Sequence, residues 1–286
     1  MPHFDWEMNE MAKPKDEAVS EGSEEAGMMA VVIDQVVTLT IAIVIALAIR
    51  HFIVEPFRIP SGSMYPTLLV GDHLFVNKLA YGPKIPFTDI RLPGWREPER
   101  GDVVVFEVAR PISQSGRRAI QPVDRAPEGA PREDFVKRLV GMPGDKITLR
   151  NGQVFINDKL LNNTVNGEYF EDQGHALEIS YEDLGDCRHA VLDDPRANRL
   201  DRGTWIVEEG RYFMVGDNRD NSNDSRAWGS VREEDFKGPA FILYWSWDVN
   251  GNMLSFFNPV NWFTAEKRWG RVFEPVKCDE VTVPVG

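Results

Sequence analysis

A strand followed by a turn is indicated near the middle of the chain by Asp134-Phe-Val-Lys-Arg-Leu-Val-Gly-Met-Pro-Gly-Asp145. Side chains of a strand alternate between two faces, so Lys137 and Arg138 lie on opposite faces, each between two apolar neighbours. The Pro143-Gly-Asp sequence is typical of a turn and ends the pattern. The segment therefore predicts a β-strand that carries one cation on each apolar face.

Short apolar runs of this kind recur along the chain, and turn signals such as Arg100-Gly-Asp and Asn151-Gly-Gln separate them. No long helical pattern follows residue 54. The fold class is therefore predicted to be mainly β, built from antiparallel sheets. The predicted strands are 73–77, 102–108, 135–140, 146–149, 153–156, 204–207, 212–215 and 241–245.

Composition excludes several classes of protein. The 286 residues include 32 basic and 45 acidic side chains, which gives a formal net charge of −13. Nucleic-acid binding requires a basic face, so nucleic acid is not an expected partner. Two cysteines, Cys187 and Cys278, are too few for a cysteine-only zinc site, and no metal is predicted. They could form one disulfide, but their spacing does not decide this.

An apolar segment at residues 27–49 contains a single charged side chain, Asp34. At about 1.5 Å per residue it spans about 35 Å, enough for the roughly 30 Å hydrocarbon core of a bilayer. A buried helix of a soluble protein is usually shorter and amphipathic. A cleaved export signal begins with positive charge, whereas residues 1–27 carry 8 acidic side chains and 2 lysines. An uncleaved transmembrane helix is therefore predicted.

The predicted organisation is an acidic flexible tail at 1–27, an anchor at 28–54 and a β domain at 55–286. Within the β domain, residues 109–133 are rich in Pro, Arg and Gly and predict a mobile loop. A polar, acidic stretch at about 151–203 has weak strand signals, and an inserted subdomain or a long excursion is expected there. Basic residues flank the anchor equally on both sides, so the charge pattern does not set its orientation.

Directly after the anchor, the chain reads Pro56-Phe-Arg-Ile-Pro-Ser-Gly-Ser-Met-Tyr-Pro-Thr67. Its prolines prevent a helix, and Gly62 permits close approach of another chain segment. The segment is either a linker or a tight turn that displays a nucleophilic serine. It does not match the Gly-x-Ser-x-Gly elbow of hydrolases.

Lys137 has two interpretations. A lysine held on an apolar strand face loses solvation, its pKa falls, and the neutral amine can take a proton from a serine hydroxyl. Alternatively, the side chain extends its ammonium group into water. A Ser63–His73 pair is a further possibility.

A polar run lies between Val215 and Gly229 and contains Gly216-Asp-Asn-Arg-Asp-Asn-Ser-Asn-Asp-Ser-Arg226. It fails the calcium-loop template, because Ser225 stands where glycine is needed and Val231 where an acid is needed. Charges of alternating sign suit either a solvated turn or an internally hydrogen-bonded loop that orients another residue.

Taken together, four segments that follow one another along the chain resemble bacterial signal peptidase I: residues 56–67, Arg100-Gly-Asp-Val-Val-Val-Phe106, residues 135–145 and the polar run 216–226. The resemblance implies a membrane-bound serine endopeptidase with a Ser/Lys dyad and no cofactor. Ser63 corresponds to the nucleophile and Lys137 to the general base. Ser61 and the Ser63 amide correspond to the oxyanion hole.

Other positions take supporting roles by the same resemblance. Ser222 corresponds to a residue that hydrogen-bonds and orients the lysine, and Asp224 and Arg226 to its supporting ion pair. Substrate-pocket positions correspond to Phe57, Ile59, Met64 and Val136. The long-form members of the family have two membrane spans, whereas this chain is predicted to have one, and Tyr65 departs from the best-known pattern at the pocket rim.

The implied activity is removal of signal peptides from exported preproteins by cleavage after Ala-x-Ala-like sites. The implied location is the bacterial inner membrane, in contact with lipid, with the catalytic domain on the outer side. Two alternatives stay open. One is a specialised pilin or conjugation-type Ser/Lys peptidase, and the other is an inactive membrane-anchored β domain.

Overall fold

The computed structural model describes residues 16–86, 88, 90–111, 119–161, 163–172, 174–197, 203–248, 260, 265–276 and 278. The chain divides into two compact units, Met1–Ile49 and Arg50–Gly286. Residues 1–15 of the predicted tail lie outside the described residues, as do 112–118 of the predicted loop.

Helix α1 spans Asp16–Phe52 and therefore begins inside the segment that the sequence predicts to be a tail. Its apolar part, Met28–Phe52, has a mean hydropathy of 2.4. This part is long and apolar enough to cross a membrane, and none of its most apolar stretch is buried within the protein. An apolar surface on all sides suits lipid better than water. Helix α1 therefore fits the predicted membrane anchor.

The second unit is built from antiparallel strands, as predicted. Its largest sheet has the order β1-β2-β14-β3-β4-β12-β13, and β15 pairs with β14. A second sheet has the order β11-β5-β6-β7 and a third the order β10-β9-β8. Short helices α2 (Lys78–Tyr81) and α3 (Ser225–Trp228) lie between strands. The strands are β1 Val54–Arg58, β2 Asp72–Asn77, β3 Val103–Ala109, β4 Arg132–Gly141, β5 Lys146–Arg150, β6 Gln153–Ile156, β7 Lys159–Leu160, β8 Asn163–Asp172, β9 His175–Asp183, β10 Arg188–Asp193, β11 Gly203–Ile206, β12 Arg211–Val215, β13 Val231–Arg232, β14 Phe236–Asp248 and β15 Glu266–Lys267.

Strand β3 lies at the centre of the largest sheet, and both of its faces are buried. Val104 and Phe106 belong to one apolar cluster, and Val103 and Val105 belong to another. The alternation of a strand sends these pairs to opposite faces, so the sheet carries core on both sides. Strand β4 pairs with β3 and places Lys137 opposite Val104. Lys137 therefore lies on a strand whose register is set by pairing with the buried strand β3.

The stretch at about 151–203 contains more strand than the sequence indicates. Strands β6 to β10 lie within it, and β8, β9 and β10 form the third sheet. On β9, Leu177 and Ile179 are buried on one face, and the polar residues Ser180 and Glu182 are buried on the other. Polar residues at buried positions interrupt the apolar run that marks a buried strand. This composition explains the weak signal.

A disulfide joins Cys187 to Cys278, with an S–S distance of 2.03 Å. The bond closes a loop over a sequence separation of 91 residues. Cys187 follows β9, so the bridge attaches the β9–β10 hairpin to the C-terminal segment.

Candidate active site

A short 3-10 helix, Gly62–Met64, carries Ser63. The loop after β12 donates hydrogen bonds to the backbone of this helix. The Asn218 amide N–H donates to the Ser63 carbonyl at 3.1 Å, and Asn218 Nδ2 donates to the Gly62 carbonyl at 3.1 Å. Ser63 is buried, whereas Ser61 is exposed. The turn therefore places the two serines in different environments.

Lys137 contacts Ser63 directly. Its Nζ lies 2.6 Å from Ser63 Oγ and 3.0 Å from the Val136 carbonyl. The Lys137 side chain is 4% exposed, and burial lowers its pKa to about 8, although the carboxylates of Asp224 and Asp217 oppose this shift. The Phe135 ring lies 5.4 Å from Nζ. A neutral amine beside a hydroxyl can accept that hydroxyl's proton.

The loop after β12 is internally bonded around Asp224, which also caps α3. Asp224 accepts from Arg226 Nε at 2.8 Å and from the Gly216 amide at 3.0 Å. Burial raises the pKa of Asp224, but the Arg226 guanidinium and the Gly216 amide outweigh burial and hold the pKa below its ordinary range. The carboxylate is therefore charged and close enough to act on Lys137 electrostatically.

Ser222 lies beside Gly216 in this loop. A Cβ on Gly216 would lie 2.2 Å from Ser222 Oγ and 2.6 Å from the Ser63 carbonyl oxygen, so only glycine fits between the two serines. In the part of the chain that the structure describes, no hydrogen bond joins Ser222 to Lys137. Ser222 nevertheless lines the same cleft as Ser61, Ser63 and Lys137. The remaining lining residues are Arg110, Ile120, Phe135, Asp220, Asn221 and Asn223.

The four residues predicted to line a substrate pocket belong to one apolar cluster. Ile59 and Met64 are buried in it, and Phe57 and Val136 pack against it with partial exposure. Val136 precedes Lys137 and Met64 follows Ser63 in the sequence, but the side chains of Val136 and Lys137 lie on opposite faces of β4. The cleft that contains Ser61, Ser63 and Lys137 is lined by other residues.

A buried ion pair that the sequence did not predict lies on the face of β4 opposite Lys137. Arg138 donates to Asp217 through Nε at 2.9 Å and through Nη2 at 2.7 Å, and neither side chain is exposed. Thr67 Oγ1 donates to Asp217 at 2.6 Å, and Arg138 Nη1 donates to the Gly101 carbonyl at 2.8 Å. The only sequence signal was a second cation on the face of β4 opposite Lys137.

His73 occupies a different environment from Ser63. It pairs with Arg58 and Trp245 across the neighbouring strands, and its ring packs against Tyr244 and Trp247. Tyr244 Oη lies 3.4 Å from His73 Nδ1. The partner of Ser63 Oγ in the described residues is Lys137.

Comparison with known proteins gives the class of protein. A family model described as "Signal peptidase, peptidase S26" matches residues 32–245, which is more than half of the chain. The protein is therefore a peptidase. Signal peptidase I from Pseudomonas fluorescens is 39% identical over 215 residues, with 71% of this chain and 69% of the relative covered. Signal peptidase I from Rickettsia typhi is 34% identical over 260 residues, with 82% and 90% covered.

These matches place the chain in the signal peptidase I family, whose members act on exported preproteins and remove their signal peptides. The apolar helix α1 fits the membrane anchor of such an enzyme. A crystal structure of a signal peptidase I from Enterococcus faecalis covers 50% of this chain and 97% of its own, at 24% identity and a TM-score of 0.25. The antiparallel fold of the second unit is shown by its own strand pairing.

Proposed function

We propose that this chain cleaves preproteins by Ser/Lys acyl-enzyme chemistry, with Ser63 as nucleophile and Lys137 as general base. The observation that carries the proposal is the 2.6 Å contact between Lys137 Nζ and Ser63 Oγ at a buried position. The low pKa of Lys137 supports it, because an amine with a pKa of about 8 is partly neutral near neutral pH.

In the first step, Ser63 Oγ attacks the carbonyl carbon of the scissile peptide bond while Lys137 Nζ takes the hydroxyl proton. The C–N bond then breaks, and Lys137 returns the proton to the leaving amine. This leaves an ester between Ser63 and the signal peptide. Water, deprotonated by Lys137, attacks the ester and releases the carboxylic acid and the Ser63 hydroxyl.

The other residues stabilise charge or hold geometry. We assign the oxyanion hole to the Ser61 hydroxyl and the Ser63 amide, since developing negative charge requires donors fixed beforehand. Ser222 orients Lys137, and the Asp224–Arg226 pair supports that loop. Phe57, Ile59, Met64 and Val136 accept the small side chains of an Ala-x-Ala-like site.

The proposed location at the membrane surface rests on where a preprotein presents its cleavage site. Ser63 lies nine residues after Val54 in the sequence, close to the end of the anchor. A preprotein presents its cleavage site where its apolar segment leaves the bilayer, so a tethered enzyme meets it at the membrane surface. We place the chain in the bacterial inner membrane, as a single-pass protein in contact with lipid. The domain at 55–286 lies on the outer side in this proposal. The segments at 109–133 and about 151–203 are insertions in that domain.

The direct test is processing of a model preprotein with an Ala-x-Ala site by wild-type protein and by Ser63→Ala in detergent or lipid. Cleavage by the wild type alone is expected. Equal cleavage by both proteins would show that a residue other than Ser63 is the nucleophile. If neither cleaves although both are folded, a panel that includes pilin-type substrates separates a specialised peptidase from an inactive domain.

The pH dependence of processing gives a second prediction. Lys137 acts as a base only when neutral, and below a pKa of about 8 the neutral fraction falls about tenfold per pH unit. The value of kcat/KM is therefore expected to rise with pH up to about 8 and then to level off. Initial rates in buffers of constant ionic strength measure this profile. A constant rate from about pH 6 to pH 9 would contradict Lys137 as the base.

A further inference from the structure

The third sheet contacts the loop that contains the supporting residues of the site. At the end of β10, the Leu192 amide donates to the Asp217 carbonyl at 2.9 Å. The Arg219 amide donates back to the Leu192 carbonyl at 2.9 Å. These two bonds form a short parallel bridge between Leu192 and Asn218. Residues 217–219 therefore lie beside β10, the terminal strand of the third sheet.

A buried ion pair reinforces this contact. Both terminal nitrogens of Arg219 donate to the Glu182 carboxylate, with Nη2 lying 2.6 Å from Oε2. Glu182 is 3% exposed and Arg219 is 6% exposed. Paired bonds of this geometry are strong and directional because a guanidinium matches a carboxylate. Arg219 Nε also donates to the Gly216 carbonyl at 3.2 Å, so the pair holds the loop backbone.

Residues 217–219 connect this contact to both reactive side chains. Asn218 holds the carbonyls of Gly62 and Ser63. The Arg219 carbonyl accepts from Arg226 Nη2 at 2.7 Å, and Arg226 in turn binds Asp224. One three-residue segment thus contacts the third sheet, the nucleophile turn and the ion pair close to Lys137.

A neutral histidine lies between two carboxylates of this region. His189 Nε2 is 3.9 Å from Glu182 Oε2 and 3.7 Å from Asp217 Oδ1, and the side chain is fully buried. Burial, with Arg138 and Arg219 nearby, lowers the pKa of His189 well below its ordinary value. At these distances His189 Nε2 forms no hydrogen bond with either carboxylate. Glu182 therefore remains paired with Arg219, and Asp217 with Arg138.

We propose that Glu182 is a positioning residue for the peptidase reaction, and that the β9–β10 hairpin fixes the relative position of Ser63 and Lys137 by holding residues 217–219. The inference rests on the proposed function of these two side chains. Glu182 has no described contact with either of them, so its effect is indirect. Displacement of a reacting group by about 1 Å lowers a rate by about 10²-fold, so small movements of this segment matter.

The test is Glu182→Gln, assayed on a model preprotein at a temperature where circular dichroism shows a folded protein. The expected result is a kcat at least about tenfold lower with KM changed by less than about twofold, because residues 217–219 bond to the nucleophile turn and to Arg226 and have no described hydrogen bond to Phe57, Ile59 or Val136. Glu178→Gln is the matched control, since Glu178 lies on the same strand and forms no salt bridge with any described residue. A kcat for Glu182→Gln equal to that of the control would overturn the proposal.

A double variant separates positioning from stability. Glu182→Gln leaves the Arg219 charge buried without its partner, which can unfold the protein. Glu182→Leu combined with Arg219→Met removes both charges and keeps the volume, and such replacements preserve stability. Positioning predicts that this folded double variant keeps a low kcat. Recovery of kcat to within about twofold of wild type would show that the ion pair serves stability alone.

The same assay distinguishes failure of this inference from failure of the proposed function. Wild type and Ser63→Ala are measured alongside the Glu182 variants. If Ser63→Ala is inactive while Glu182→Gln equals wild type, only the positioning role of Glu182 is lost. If Ser63→Ala cleaves like wild type, the proposed dyad itself is wrong, and with it the inference built on it.

Discussion

Replacement of Lys137 by alanine is expected to lower kcat/KM for preprotein processing by about 10³-fold or more. The Ser63 hydroxyl is a weak nucleophile until a base accepts its proton, and the Lys137 amine lies 2.6 Å from it. In the part of the chain that the structure describes, no other side chain takes this position. The expected residual rate comes from substrate binding and the oxyanion donors alone.

Two further variants make this experiment specific. Lys137→Met removes the amine but keeps most of the side-chain volume, so it lowers the rate without opening a cavity. Lys146→Ala removes a half-buried lysine that pairs with Asp158 and should leave kcat/KM within about twofold of wild type. Circular dichroism confirms that each variant is folded. If Lys137→Met retained more than about a tenth of the wild-type rate, the general base would have to be another group.

Because Lys137 has a lowered pKa, its removal is compatible with a folded protein. The amine is partly neutral near its pKa of about 8, and the neighbouring Asp224 already has Arg226 as its partner. The Lys137→Ala variant therefore leaves no buried carboxylate without a counter-charge, which is the usual cause of large stability loss after removal of a buried cation.

Local patterns predicted much of the β domain. All eight predicted apolar runs lie in or overlap strands of the structure, because each run is bounded by turn residues and filled with β-branched or aromatic side chains. The stretch at about 151–203 has weaker local signals. On β9, the buried positions include the polar residues Ser180 and Glu182 beside Leu177 and Ile179, so the strand lacks the continuous apolar run of a central strand.

Contacts between residues that are far apart in the sequence could not be predicted from local sequence patterns. Ser63 and Lys137 are separated by 74 residues, and their pairing was expected only from the resemblance to a known family. Arg138 and Asp217 are separated by 79 residues, and nothing in their local sequence shows that they meet. Strand pairing decides such contacts, because register between distant strands depends on the whole sheet. The Cys187–Cys278 bridge was left open for the same reason.

Arg138→Met is expected to lower the free energy of unfolding by about 3–5 kcal/mol, the usual cost of leaving one partner of a buried ion pair alone. Asp217 would keep its bond from Thr67 but lose two guanidinium bonds, and the Gly101 carbonyl would lose its donor from Arg138. At about 2–4 °C per kcal/mol for a domain of this size, Tm should fall by roughly 6–20 °C. Thermal unfolding in detergent measures the change.

The matched control is Arg132→Met on the same strand. Arg132 is 57% exposed and pairs with Glu107 at 3.0 Å, so solvent screens the pair and its loss should cost at most about 1 kcal/mol. Equal Tm values for the two variants would show that Arg138 does not stabilise the fold. Arg138 adjoins Lys137 in the sequence, and Thr67 lies four residues after Ser63. The Arg138–Asp217–Thr67 contacts therefore join the strand of the base to the segment of the nucleophile, and their loss should lower processing activity before the protein unfolds.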